Sequence, residues 1–253
     1  MTTTNRLGRI GLRAMAVALM SMLVLTFSVG RASAVTPCSD QGDGNDPARH
    51  YVCNVYFFFL HPPTNGEVNY WIDVLSTDST AAVAADLIGS QETAQRFVGD
   101  QYGNLLGRAG DPGGVHYWTD QLQAGVTFED FDAALVSSDE AFTLVGGLND
   151  NYVEYLYNVI LDRSASDADI SYWADLISNG TTTRAGVASL FVHSTEFAAM
   201  VVDGSYLDFL GRPADAGGLA YWTSFTLEHG FRMTYIALIG SAEGYAQLSS
   251  GLI

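Results

Sequence analysis

The sequence contains no lysine; its eleven basic residues are all arginine. A chain without lysine cannot form a Schiff base with a carbonyl substrate, nor a Walker-type phosphate loop. Histidine is scarce as well. His50, His61, His116, His193 and His229 form no His-Glu-x-x-His, and none recurs at an equivalent place, which argues against a zinc site. Gly240–Gly244 superficially resembles a nucleophile elbow, but Ser241 is misplaced for Gly-x-Ser-x-Gly and reads as a helix cap. Sustained period-two alternation is absent, so strands are not expected. With 28 acids the formal net charge is −17. Such a surface repels phosphate backbones, so nucleic acid is excluded as a partner. It favours solubility and leaves room for divalent cations.

At the start of the chain, Arg6, Arg9 and Arg13 precede an apolar run from Ala14 to Val29, and Ala32-Ser33-Ala34 is a small-x-small cleavage site. Residues 1–34 therefore read as a secretory signal peptide, leaving no transmembrane anchor after cleavage. Seven arginines then face all 28 acids. Residues 35–50 read as an acidic flexible arm; the alternative, a calcium loop, lacks the EF-hand spacing. Cys38 and Cys53 would meet an oxidising space and are an even count, which suggests a disulfide over two free thiols.

What the chain has in abundance is repetition. Tyr-Trp occurs at Tyr70-Trp71, Tyr117-Trp118, Tyr172-Trp173 and Tyr221-Trp222, and these are all of its tryptophans. Ten residues before three of them stand Arg108, Arg163 and Arg212; His61 takes that place in the first copy. Thr64, Asp111, Ser166 and Asp215 occupy matching places and are good helix N-caps. Gly125, Gly180 and Gly230 mark helix ends. A third helix follows in each copy: Ala81 to Ile88, Phe128 to Val136, Arg184 to Val192 and Met233 to Ile239. Ser-x-Glu then begins at Ser90, Ser138, Ser194 and Ser241, a cap with an acid in the first turn.

Val52, Val55, Tyr56, Phe59 and Leu60 lie on one helical face, and Val153, Leu156, Tyr157, Ile160 and Leu161 repeat it. On this frame Cys53 matches Glu154, a polar-face position, so a Cys38–Cys53 bridge would hold the arm to the outside of the first helix. Units two and four carry shorter first helices, Tyr102 to Arg108 and Tyr206 to Arg212. The true period is thus a pair of units, about 100 residues, an ordinary domain size. The expectation is an all-α fold of tandem helical repeat bundles. Residues 51–150 form one module and 151–253 the other, divided at the Gly146–Asn151 turn.

Leu-Gly-Arg-x-x-Asp-x-Gly-Gly-x-x-Tyr-Trp at Leu106–Trp118 and Leu210–Trp222 is the most distinctive motif. With Ser-x-Glu-Phe at Ser194–Phe197 and Tyr-Val-x-x-Leu-Tyr at Tyr152–Tyr157, it resembles a bacterial domain-of-unknown-function family, number 4214. That family is similar to the phycobilisome linker domain. The resemblance implies an all-α bundle, and company with secreted, surface-layer-like and calcium-repeat proteins. It carries no agreed catalytic residues. The first unit departs, with His61-Pro62-Pro63-Thr64 in place of Arg-x-x-Asp and Thr93 in place of the aromatic.

Trp71, Trp118, Trp173 and Trp222, at fixed spacing among aliphatic residues, read as core more than as stacking platforms for sugars. Their neighbouring tyrosines should sit at the core edge. Arg108, Arg163 and Arg212 should close structural ion pairs with Glu140, Glu196 and Glu243, while Asp111 and Asp215 cap helices and at most also help bind calcium. No catalytic or cofactor residue is assigned. The function expected is a secreted, acidic, non-enzymatic binding or assembly protein of the cell surface or extracellular space. Its partner would be a protein or a cell-envelope component, met by outward-facing residues of the Trp helices. The alternatives are a calcium- or carbohydrate-dependent adhesin and an extracellular hydrolase.

Overall fold

A computed structural model describes Cys38 and residues 46–251; the signal peptide expected at residues 1–34, most of the expected arm and the last two residues lie outside these. Fourteen α-helices and no strand occur among the described residues. They fall into two sets of seven in the same order. The first set is α1 (Pro47–Phe59), α2 (Asn65–Leu75), α3 (Thr80–Gly89), α4 (Gln91–Leu106), α5 (Pro112–Gln123), α6 (Phe128–Val136) and α7 (Asp139–Leu144). The second is α8 (Asn149–Ile160), α9 (Asp167–Ser178), α10 (Arg184–Val192), α11 (Thr195–Leu210), α12 (Ala216–His229), α13 (Phe231–Ile239) and α14 (Ala242–Leu248).

Local chemistry sets most of these boundaries. Thr64, Asp111, Ser166 and Asp215 each accept a backbone N–H of the first turn of α2, α5, α9 and α12. Ser90, Ser138, Ser194 and Ser241 do the same for α4, α7, α11 and α14. Helices α6 and α10 have the expected bounds; α13 starts two residues before Met233, at Phe231. The short first helices expected at Tyr102 and Tyr206 are instead the ends of the 16-residue α4 and α11. After α7 the corresponding run is broken, because Gly146 and Gly147 take φ of +91° and +70° and turn the chain. Only glycine does this without a Cβ penalty.

Two expectations about the N-terminal region are corrected. Residues 47–50 are not arm but the first turn of α1, capped by Asp46. Cys53, bonded to Cys38, is not on an outer face: it is 3% exposed. The reason is tertiary. Helix α14 and the chain end lie over that side of α1, where Asn54 Nδ2 donates to the carbonyls of Leu248 and Gly251, both at 2.8 Å. The stretch His50–Tyr56 is therefore buried all round.

The Gly146–Asn151 turn is present, but packing does not divide the chain there. One core joins α1, α2 and α3 with α13, α14 and the last turns of α11. The other runs from α4 to α10 and takes in Phe197 of α11 and Phe231 of α13. Each therefore draws on both 51–150 and 151–253, because the opening helices of each set cover the closing helices of the other. Helix α3 packs on α13, and its counterpart α10 packs on α6, α13's counterpart. Helices α6 and α13 also touch. This exchange is the arrangement of a two-fold interface, in which i meets j and j meets i, realised within one chain.

Candidate functional site

The repeated motif builds the same constellation at three places. Arg108 Nε and Nη2 donate to Glu140, the latter at 2.7 Å to Oε2. Arg163 holds Glu196 at 2.5 and 3.0 Å, and Arg212 holds Glu243 at 2.5 and 3.1 Å. Each guanidinium also lies over a tyrosine of the preceding helix: Tyr102 at 4.8 Å, Tyr157 at 4.5 Å and Tyr206 at 5.0 Å. Hydrogen bonding from each arginine holds its glutamate below the ordinary carboxylate range. In the first unit His61 Nδ1 meets Glu92, and its Nε2 lies 3.3 Å from Glu67. The Asp-x-Gly-Gly of the motif has a steric reason too. A Cβ at Gly114 or Gly218 would come within 2.6 Å of the Tyr102 or Tyr206 hydroxyl.

All four tryptophans are half-buried against the cores. Trp71 Nε1 donates to the Tyr56 hydroxyl at 3.0 Å. The adjacent tyrosines are not at the core edge. Tyr70, Tyr117, Tyr172 and Tyr221 are 56–63% exposed, because the residue after each sits about 100° around the helix and already fills the gap. In each set the guanidinium and the carboxylate are already paired with each other, which makes the sets joints between helices.

The cavity lies elsewhere, where the two sets of helices meet. A recess of about 90 Å³ is walled by α1, α4, α6, α8, α11 and α13. Phe58 and Phe59 of α1 stand at the places of Val159 and Ile160 in α8, and Phe128 of α6 at the place of Phe231 in α13. Phe97 stacks on Phe128 with ring centres 3.9 Å apart, and Phe209 meets Phe58 edge-on at 5.3 Å. The two-fold frame is chemically broken here. One half carries Arg96, Asp100, Gln101 and Asp132; the matching places in the other hold Met200, Gly204, Ser205 and Tyr235.

Asp132 is 3% exposed, and its Oδ1 accepts from Gln101 Nε2 at 2.8 Å. Burial pushes its carboxyl well above the ordinary range. Asp208, on the recess wall, is half-buried and has no hydrogen-bond donor or cation among the described residues. Burial raises it to about 6. Asp100 is held 3.6 Å from Arg96. The Tyr235 hydroxyl, also pushed up by burial, makes no hydrogen bond to another described residue.

These residues belong to no repeated motif, but they do leave a signal in the sequence. Gln101 sits midway between Phe97 and Leu105, and Asp132 four residues after Phe128, each a polar group on an apolar helix face. Among the described residues no cluster of three or more histidine, cysteine or acidic side chains is placed to hold a metal. Asp111 and Asp215 cap their helices at 2.8 Å. Nor is any single described helix long and apolar enough to cross a membrane.

Fold and site together define an all-α tandem-repeat protein with one aromatic recess at its internal two-fold. The family model described as a domain of unknown function (DUF4214) matches residues 82–145 and again residues 132–201. This stretch belongs to that family, in tandem. It covers most of the core built around α4 to α10, and also α3, which packs in the other core. No curated protein and no solved structure matches the chain.

Proposed function

We propose that this is an exported binding protein of the extracellular space or cell surface, acting without turnover, and that the recess between its two halves is its ligand site. The disulfide, and the fact that no single described helix is long and apolar enough to cross a membrane, are compatible with an extracellular location. The observation that carries the reading is the recess itself. It is apolar and aromatic, with a few convergent polar groups, which is how small-molecule sites are built. Its polar lining holds acids, an amide, hydroxyls and one arginine, with no histidine or cysteine beside them, so binding is a better reading than nucleophilic catalysis.

The test is fluorescence of a neutral naphthyl dye, N-phenyl-1-naphthylamine, titrated with the mature chain. The dye should brighten and shift to the blue on saturation. Met200→Trp fills the half-buried wall and should remove most of that signal while helical circular dichroism stays the same. No enhancement with the unaltered chain would count against a ligand site.

A further inference from the structure

The recess has a polarity that its aromatic walls do not require. The geometry points to an organic cation as its occupant: a primary amine or similar ammonium group on a small apolar or aromatic body. This deepens the reading of the recess as a ligand site and rests on it.

Three observations carry it. First, the acids on the wall outnumber the cations. Asp100, Asp132 and Asp208 line the recess against a single arginine, Arg96, which already faces Asp100. Second, two of these carboxyls have unused capacity. Asp208 has no donor or cation among the described residues, and the second oxygen of Asp132 has no donor among them either. A buried carboxylate without a donor is costly, whereas one that receives a charged N–H gains a strong hydrogen bond. An ammonium group supplies three such donors. Third, the walls suit a cation's neighbours. Phe58, Phe59, Phe97, Phe209 and Tyr235 present ring surface, and ring faces attract cations most where water is excluded. An anion would meet the opposite field, in a chain whose formal net charge is −17.

The other groups around Asp132 do not supply the missing charge. Glu129 on its own helix is an acid; Tyr155 of α8 donates to the Leu105 carbonyl at 2.8 Å; and Tyr235 of α13 is neutral. His193 of α10 lies 3.5 Å from Asp130. Arg232 of α13 is engaged, donating to the Gly89 carbonyl at 2.8 Å while stacked on Phe128. At neutral pH Asp208 is mostly ionised and anchors the ammonium. The second Asp132 oxygen, without a donor among the described residues, is the second acceptor for it.

Calorimetric titration of the mature chain with benzylamine, benzyl alcohol and benzoate separates the possibilities, because the three share one ring and differ in charge. At about pH 7.5 benzylamine should bind at least ~10-fold more tightly than benzyl alcohol, the size expected for a charged hydrogen bond over a neutral one, and benzoate should be weakest. Asp208→Asn should remove most of the amine's advantage and leave benzyl alcohol unchanged. Asp132→Asn, nearly isosteric, should remove part of it. If amine and alcohol bind alike, or if neither substitution narrows their ratio, the cation assignment is overturned while the ligand site stands. If the neutral dye enters but none of the three does, the assignment is likewise overturned. If nothing enters, dye included, both readings fall.

Discussion

Arg163 shows what one side chain of the motif does. It joins the end of α8 to the first turn of α11 through two hydrogen bonds to Glu196 and lies over the Tyr157 ring. Both partners are about half exposed, so water and salt screen the pair, and exposed pairs are worth little by themselves. The stacking and the fixed fork raise the sum to about 1 kcal/mol. Arg163→Ala should lower the melting temperature of a chain begun at residue 35 by about 2–4 °C at this size. Arg163→Lys, without the planar fork, should recover less than half. An unchanged melting temperature in Arg163→Ala would show that the joint contributes nothing. The partner of each arginine could be named in advance because the acid recurs as regularly as the arginine. The recess acids could not, since Asp132 and Asp208 have no counterparts in the other units: Tyr235 and Asn104 stand at the matching places.

At the scale of the element, α13 is the exception. Its three counterparts begin with Ser79, Thr127 or Thr183 as side-chain caps, but Gly230 occupies this place and caps nothing with a side chain. The cap comes from across the interface. Glu129 of α6 accepts the Phe231 N–H, and a Cβ on Gly230 would lie 3.1 Å from that carboxylate, at a φ of +82°. The other Glu129 oxygen is buried without a partner, and burial raises the carboxyl's pKa. A raised carboxyl favours folding while protonated; this contribution is complete below its unfolded pKa and lost as pH rises through the folded value. Glu129→Gln keeps the acceptor and removes the titration. It should unfold at a higher temperature than the unaltered chain at about pH 8 and at nearly the same temperature at about pH 5. Glu129→Ala should be the less stable at both, by about 1–2 kcal/mol for a lost cap. Equal melting of all three at both pH values would mean that α13 needs no cap. Helix bounds set by a local Ser, Thr or Asp were legible in the sequence. The start of α13 was not, because its cap lies about a hundred residues away.

For the molecule as a whole, the consequence of the exchanged packing is that neither half is complete. Residues 151–253 contain α13, whose apolar face needs α3, and α10, whose face needs α6. Expressed alone, this half should not be a folded monomer. It should either remain uncooperative on heating or pair with a second copy, α10 of one against α13 of the other, as near-identical sets related by a two-fold can do. Sedimentation and a thermal melt decide it, and a cooperatively folding monomer would return the chain to two independent modules.

By itself the sequence determined most of the helix starts, the pairing of units into a period of about 100 residues, the family of residues 82–201, and the arginine–glutamate joints. All of these rest on neighbours close along the chain or on signals repeated in each unit. Only the tertiary structure decided which helices share a core, why Cys53 is covered and where the recess opens. These depend on surfaces that meet across more than a hundred residues, and the two-fold that joins them leaves no local mark in the chain.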